Sequence, residues 1–190
     1  MKKMKTMMIV ASVALFTNGS FAQMETTSKE KTVEVGGAAM YPSKDIVSNA
    51  VNSKVHTTLV AAVKAAGLVE TLQSAGPFTV FAPTNAAFDL LPAGTVATLL
   101  KEENKATLTA VLTYHVVAGK YNAADIVKLI KAGGGTATVK TVAGGNLMIS
   151  MSGKKVIIKD EKGGEAMVTI KDVNQSNGVI HVIDHVLLPK

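Results

Sequence analysis

The chain has 190 residues, no cysteine, 20 basic and 14 acidic residues, and a formal net charge of +6 at pH 7. With no disulfide available, the apolar core alone must hold the fold together, which a single domain of this size can do. Every basic residue is a lysine and tryptophan is absent, which argues against a nucleic-acid reader, since such proteins favour arginine and stacking aromatic residues.

The first 22 residues show the three parts of a secretory signal peptide. Three lysines precede an apolar run, MMIVASVALF, and Ser20-Phe21-Ala22 places small residues at the positions that a signal peptidase reads. The run is about half as long as the ~20 residues of a membrane-spanning helix. We expect cleavage before Gln23 and export to the periplasm or the cell exterior, with no transmembrane anchor in the mature form.

The mature chain begins with a stretch that we expect to be flexible. Residues 23–41 are polar, contain glycine and show no periodicity, which is typical of a disordered leader. Helical sequence follows, with Ser43 or Asp45 placed to cap a first helix and Gly67 placed to end a second. We therefore predict one domain over residues 42–190.

The stretch PFTVFAPTNAAFDLLP (77–92) predicts a buried strand followed by a short helix. Pro83 ends the strand because proline cannot donate to a ladder. Thr84 or Asn85 is placed to cap the helix. The residues that define this pattern are Thr79, Phe81, Pro83, Thr84, Asn85 and Phe88.

Further helical sequence changes to strand at LTYHVVAGK (112–120), with Tyr114 and His115 at the start of the strand. One more helix is predicted over 123–131. From Gly133 onward, five strand-like segments, of which TATVKTV alternates, are separated by tight turns, among them Asn177-Gly178. This spacing predicts antiparallel sheets. Helices followed by strands indicate an α+β domain.

The segment His181-Val-Ile-Asp-His185 resembles an inverted zincin metal motif, which requires a helix. The β-branched residues around Asp184 favour a strand instead. In a strand the two imidazoles would lie about 13 Å apart, too far to share one zinc ion. We therefore predict structural roles for His181 and Asp184, no metal site and no cofactor.

His115 is the strongest candidate for a general base, and a nearby Thr84 hydroxyl would be its nucleophile. No serine or cysteine lies in a recognisable nucleophile elbow, and no acid partner is marked by its spacing. We therefore predict no catalytic residues and a structural histidine. Lysine-rich turns at Lys154-Lys155, Lys159 and Lys162 leave two interpretations open: weak attraction of anionic surface polymers, or solvated hairpin tips.

Three stretches, 77–92, 112–120 and 177–189, are similar, in the same order, to the signature regions of the fasciclin (FAS1) domain family. The resemblance covers about 45–189. It implies a FAS1-like, β-sandwich-like wedge of antiparallel β-strands flanked by several short α-helices. It also suggests a single-domain, secreted bacterial member of the family.

The resemblance implies a function as well, because fasciclin domains are extracellular modules of cell adhesion and matrix binding without a common catalytic activity. We expect non-catalytic recognition of a cell-surface or matrix protein or polysaccharide. In the family the Tyr-His region is implicated in adhesion, so Tyr114 and His115 are candidate interaction residues. Asp172-Val173 matches an Asp-Ile pair associated with integrin binding in animal relatives, although an ordinary turn is the simpler interpretation.

A second function stays open at this point. Some fasciclin-like proteins are associated with apolar pigments, so a cleft between the helices and the sheet is expected to suit a small apolar ligand.

Overall fold

The structure is a computed structural model that describes residues 30–190. The predicted signal peptide (1–22) and the first part of the predicted leader lie outside the described residues. The helices are α1 (Ile46–Ala50), α2 (Thr57–Ala66), α3 (Val69–Gln73), α4 (Asn85–Asp89), α5 (Thr95–Leu99), α6 (Lys105–Tyr114) and α7 (Ala123–Ala132). The strands are β1 (Val33–Val35), β2 (Ala38–Met40), β3 (Phe78–Pro83), β4 (Val116–Ala118), β5 (Thr136–Lys140), β6 (Asn146–Ser152), β7 (Lys155–Lys159), β8 (Glu165–Gln175) and β9 (Gly178–Ile183).

Strands β1 and β2 form a hairpin inside the stretch that the sequence assigns to a flexible leader. Val35 and Met40, the inward residues at its two ends, are 1% and 2% exposed. The prediction of a leader over 23–41 is therefore wrong for 33–40. Each strand has only three residues around Gly36-Gly37, which is too short to show an alternating pattern.

Seven strands form a mixed sheet in the order β4-β3-β9-β8-β7-β6-β5. The two outermost strands meet, because Val117 bridges Thr141 and the Val142 N–H donates to the Val116 carbonyl at 2.8 Å. The sheet thus closes into a barrel-like wedge, and the α+β fold class is confirmed. One pairing differs from the antiparallel prediction: β3 and β9 run parallel, with Phe81 beside His181.

Three helix ends lie at residues that the sequence predicts as caps or as the end of a helix. The Asp45 carboxylate caps α1 by accepting hydrogen bonds from the Val47 and Ser48 N–H groups, both at 2.9 Å. The Thr84 hydroxyl caps α4, and Gly67 ends α2 in the left-handed conformation, with φ of 72°.

Two boundaries differ from the sequence analysis. Tyr114 is the last residue of α6 and His115 caps it, so the strand begins only at Val116. At the other end, β9 stops at Ile183, before Asp184 and His185. The two histidines of the HVIDH segment therefore do not share one strand.

Apolar side chains form two cores on opposite faces of the sheet. The layer core lies between the sheet and helices α1, α2, α3 and α6, and includes Met40, Leu59, Leu72 and Val173. The barrel core fills the inside of the wedge and includes Phe81 and Tyr114. Within residues 30–190, no helix is long and apolar enough to cross a membrane.

Candidate functional site

Tyr114 lies at the end of α6 with its ring inside the barrel core and none of its surface exposed. Its hydroxyl donates to the Asn146 carbonyl at 2.8 Å and accepts from the Glu161 N–H at 3.1 Å. Burial raises the pKa of Tyr114. A Cβ at position 145 would lie 2.7 Å from the ring, so Gly145 is required beside it. The side chain thus links α6 to the turns around β6 and β7.

His115 uses both ring nitrogens within the fold. Nδ1 lies 2.8 Å from the Val111 carbonyl, which requires a proton on Nδ1, and Nε2 accepts from the Leu187 N–H at 3.0 Å. Burial lowers the pKa of His115 to about 4. A neutral histidine with both nitrogens engaged and 2% of its surface exposed cannot act as a general base for an external substrate.

Asp160, a residue that the sequence analysis did not single out, completes the attachment of the C-terminal segment. One of its carboxylate oxygens accepts from the Lys162 and Gly164 N–H groups, and the other accepts from the Leu188 N–H at 2.9 Å. The turn sequence Asp-Glu-Lys-Gly-Gly predicts the hydrogen bonds from the Lys162 and Gly164 N–H groups to Asp160. The bond to Leu188, 28 residues away, has no signal in the sequence.

Thr79 and His181 together hold the loop between β4 and α7. The Thr79 hydroxyl donates to the Gly119 carbonyl at 2.7 Å and accepts from the Tyr121 N–H at 2.9 Å. His181 Nε2 lies 2.9 Å from the Tyr121 carbonyl, and its ring stacks on Phe81. Burial lowers the pKa of His181.

Asp172 and Val173 do not form an exposed turn pair. Asp172 has a φ of 58°, and its carboxylate accepts from the Ala123 N–H at 2.6 Å, at the start of α7. Val173 has no exposed surface and belongs to the layer core. The expectation that Val173 contacts a partner is thus wrong in this structure, because strand pairing with β9 turns its side chain inward.

The same correction applies to Tyr114 and His115 as interaction residues. Both side chains are enclosed, so neither can touch a macromolecular partner while the domain is folded. The resemblance to the family identified residues by their position in the fold and not by their exposure to solvent. Burial depends on tertiary packing, which the local sequence does not show.

Asn177 and Gly178 lie at the predicted hairpin turn and also contact other parts of the fold. Asn177 Oδ1 accepts from the Ile46 N–H at 3.1 Å, and Nδ2 donates to the Leu72 and Ser74 carbonyls. A Cβ at position 178 would lie 2.1 Å from the Phe78 carbonyl oxygen. This pair therefore allows β3 and β9 to approach and joins them to α1 and α3.

The other signature residues are also used within the fold. Asn85 Oδ1 accepts from the Thr58 N–H at 3.0 Å, and Phe88 belongs to the layer core. Asp184 accepts from the Met167 N–H at 2.7 Å and pairs with His185 Nδ1 at 2.8 Å. Pro83 is buried at the end of β3. In the described part of the chain, no three histidine or carboxylate side chains come together as a cation site.

A cavity of about 70 Å³ lies in the layer core, between the sheet and the helices. Its walls are mostly aliphatic, and His56, 2% exposed, is part of them. His56 Nδ1 pairs with the Ser53 hydroxyl at 3.0 Å, and the Ala82 backbone lies near the ring. Among residues 30–190, Nε2 has no hydrogen-bond partner. Burial lowers the pKa of His56.

Comparison with known proteins identifies the same family as the resemblance of the three signature regions. A family model described as "Fasciclin domain" matches residues 54–189. Protein sll1483 of Synechocystis sp. is 49% identical over 170 residues, which cover 90% of this chain and 86% of that protein. Immunogenic protein MPB70 of Mycobacterium bovis is 39% identical, covering 73% and 65%. Human periostin is 34% identical, covering 68% of this chain and 14% of periostin.

A solved structure shows the same fold. The FAS1 domain pair of the insect cell adhesion molecule fasciclin I superposes with a TM-score of 0.69, at 18% identity. The match covers 84% of this chain and 58% of that one, and at this identity it is evidence for the fold alone.

Proposed function

The chain belongs to the fasciclin domain family, and from this premise we propose that it is an exported binding module that contributes to adhesion or to cell-surface or matrix association. The mechanism is recognition by a rigid surface, with no bond made or broken. The partner is a protein or polysaccharide of the cell surface or matrix. Relatives include a "cell surface glycolipoprotein" of Mycobacterium bovis, MPB83, at 33% identity, in line with an exported location.

The non-catalytic part of this proposal is supported by the contacts of His115, His181 and Thr84, whose side chains all form structural hydrogen bonds. Both ring nitrogens of His115 form hydrogen bonds with backbone groups. Both ring nitrogens of His181 do so as well, one with the Tyr121 carbonyl and the other with the Asp172 N–H. The Thr84 hydroxyl caps a helix. A buried polar group that is already satisfied stabilises a scaffold and is not free for proton transfer.

The experiment is a binding isotherm of the labelled protein on washed cells and extracellular matrix of its own source. Unlabelled protein competes, and the salt concentration is varied. A triple variant at three exposed lysines, Lys54→Gln, Lys131→Gln and Lys140→Gln, controls for net charge. Saturable, competable binding that survives salt and this variant supports the proposal. Binding that disappears with salt reduces it to non-specific attraction, and no binding rejects it.

A second candidate, carriage of a small apolar ligand, is favoured by the apolar cavity in the layer core. Its volume of about 70 Å³ restricts the ligand, because an engineered cavity of about 150 Å³ is what holds benzene or xenon. A pigment would require the helices to move away from the sheet. Mass spectrometry of a solvent extract of the protein, purified from its native source, tests this candidate directly.

A further inference from the structure

Strands β7 and β8 separate part of the way along the sheet. Their antiparallel ladder pairs Lys159 with Glu165, Ile158 with Ala166 and Ile157 with Met167, and then stops. Continued in register, the next pairs would be Val156 with Val168 and Lys155 with Thr169. A groove of about 410 Å³ lies at this place, lined by residues of both strands and of the turn before β7.

The separation has a cause in β8. Its ladder with β9 shifts register twice, between Val168 and Ile170 and again between Ile170 and Val173. Bulges bend a strand and increase its twist. Asp172, with its φ of 58° and its hydrogen bond to the start of α7, holds the bent strand in place. Strand β8 therefore follows β9 and leaves the adjacent part of β7 without a partner on that side.

Backbone groups face this gap. The Met167 N–H donates to the Asp184 carboxylate, and the Met167 carbonyl accepts from the Asp184 N–H, so both point away from β7. The direction of the backbone N–H and C=O groups alternates from one residue to the next along a strand, so the N–H and C=O of Val168 point toward β7. In the ladders of residues 30–190, Val168 has no partner on β7. The groove thus has an open edge of the kind to which an extended peptide adds by β-augmentation.

The two walls of the groove differ in chemistry. On the inner side, Val156 and Val168 belong to or pack against the barrel core, which suits small apolar side chains. On the outer side lie three exposed lysines, Lys154, Lys155 and Lys171. Among residues 30–190, none of the three lysines has an ion-pair partner.

We propose that the groove between β7 and β8 binds an extended segment of a partner protein in which acidic residues alternate with small apolar ones. The segment adds as a strand: its acidic side chains face the three lysines, and its apolar ones face Val156 and Val168. The volume lies within the range of ligand-binding pockets. A second copy that docks its own groove against this one is a poor occupant, because the three lysines of each groove would face those of the other.

The proposal extends the proposed function by naming a surface and a partner chemistry, and it rests on that function for its biological role. Lysines also protect open strand edges against aggregation without binding anything. The test must therefore separate strand addition from charge attraction and from a purely protective role.

The probe is a fluorescein-labelled hexapeptide of alternating glutamate and valine, titrated with the purified protein at physiological ionic strength and followed by fluorescence anisotropy. We expect saturable binding that weakens about tenfold in the variant Lys154→Gln, Lys155→Gln, Lys171→Gln, at roughly 0.5 kcal/mol for each exposed charge. The matched variant Lys54→Gln, Lys131→Gln, Lys140→Gln, with the same change in net charge, should keep its affinity.

A second peptide, with proline in place of the valines, keeps the charge but loses the backbone donors that a new strand needs. It should not bind, and the alternating peptide should slow amide hydrogen exchange at Val156 and Val168. Equal binding of both peptides, or an equal loss in both lysine variants, would mean charge attraction only and would overturn the proposal. No binding overturns it too; if the protein still binds matrix, the proposed function stands without this surface.

Discussion

His115 and Leu187, 72 residues apart in the chain, are joined by a hydrogen bond from the Leu187 N–H to Nε2 of the imidazole, at 3.0 Å. Both residues are buried, and Leu187 has no exposed surface. The bond fixes the C-terminal segment against the end of α6. A residue expected to meet a partner instead closes the domain.

Replacing His115 with leucine should destabilise the protein by about 2–4 kcal/mol, because a buried N–H is left without a partner and the Val111 carbonyl loses its donor. The free energy of unfolding in urea measures the effect. The exposed His185 offers a matched control, since His185→Ala should change stability by about 0.5 kcal/mol or less. Equal effects of the two substitutions would contradict the structural role of His115.

Stability should fall as the pH decreases below about 6.5. Burial lowers the pKa of His115, His56 and His181 in the folded state. Between the unfolded and folded pKa values the unfolded chain binds more protons, so acid favours unfolding, and above pH 6.5 these groups have no effect. His115, with a folded pKa of about 4, contributes a loss of about 3 kcal/mol between pH 6.5 and 4.

Urea unfolding of the wild-type protein and of His115→Leu across pH 7.5 to 4 measures this dependence. The variant should lose less stability over the interval than the wild-type protein, because one of the three histidines has been removed. A free energy of unfolding that stays constant down to pH 4.5 would contradict the burial of neutral histidines.

Gly178→Ala should be severely destabilising, by about 3 kcal/mol or more, because its Cβ would lie 2.1 Å from the Phe78 carbonyl oxygen in the neighbouring strand. Gly144→Ala is the control: apart from its chain neighbours, no atom of residues 30–190 lies within 4 Å of its Cβ. Only the strain of a φ of 94° remains, about 1 kcal/mol. Thermal and urea unfolding compare the two. If Gly144→Ala were the more damaging change, the close parallel pairing of β3 and β9 would be incorrect.

Met40→Ala should cost about 2–4 kcal/mol, since it empties a buried position beneath the β1–β2 hairpin. Glu34→Ala, on the exposed side of the same hairpin, should have little effect on the free energy of unfolding. Two similarly small effects would instead agree with the flexible leader that the sequence suggested.

Much of the fold could be predicted because its signals are local. The caps at Asp45 and Thr84 and the end of α2 at Gly67 depend on a few neighbouring residues. The alternation in β5 and the turns that separate the strands from β5 to β9 are local as well. The parallel pairing of β3 with β9 is not, because about 100 residues separate Phe78 from Gly178 and either direction satisfies the same apolar pattern.

The candidate site was harder to predict than the fold. The three signature regions identified the family, but the fact that Tyr114, His115 and Val173 are buried depends on which neighbours cover them. Asp160 and His56 carried no signal that distinguished them from turn or helix-end residues. The surface groove also has no local sequence signal, since two strands must separate in space to create it.

The signature residues build the scaffold, and we propose that binding takes place on its surface. Tyr114→Phe separates these two roles, because it removes one buried hydroxyl and leaves the surface intact. The measurement is the matrix-binding isotherm of the variant and the wild-type protein at a temperature where circular dichroism shows both folded. We expect the variant to have a free energy of unfolding about 1–3 kcal/mol lower than that of the wild-type protein, with unchanged affinity for the matrix. A folded variant that no longer binds the matrix would contradict the structural role of Tyr114 and would identify it as a binding residue.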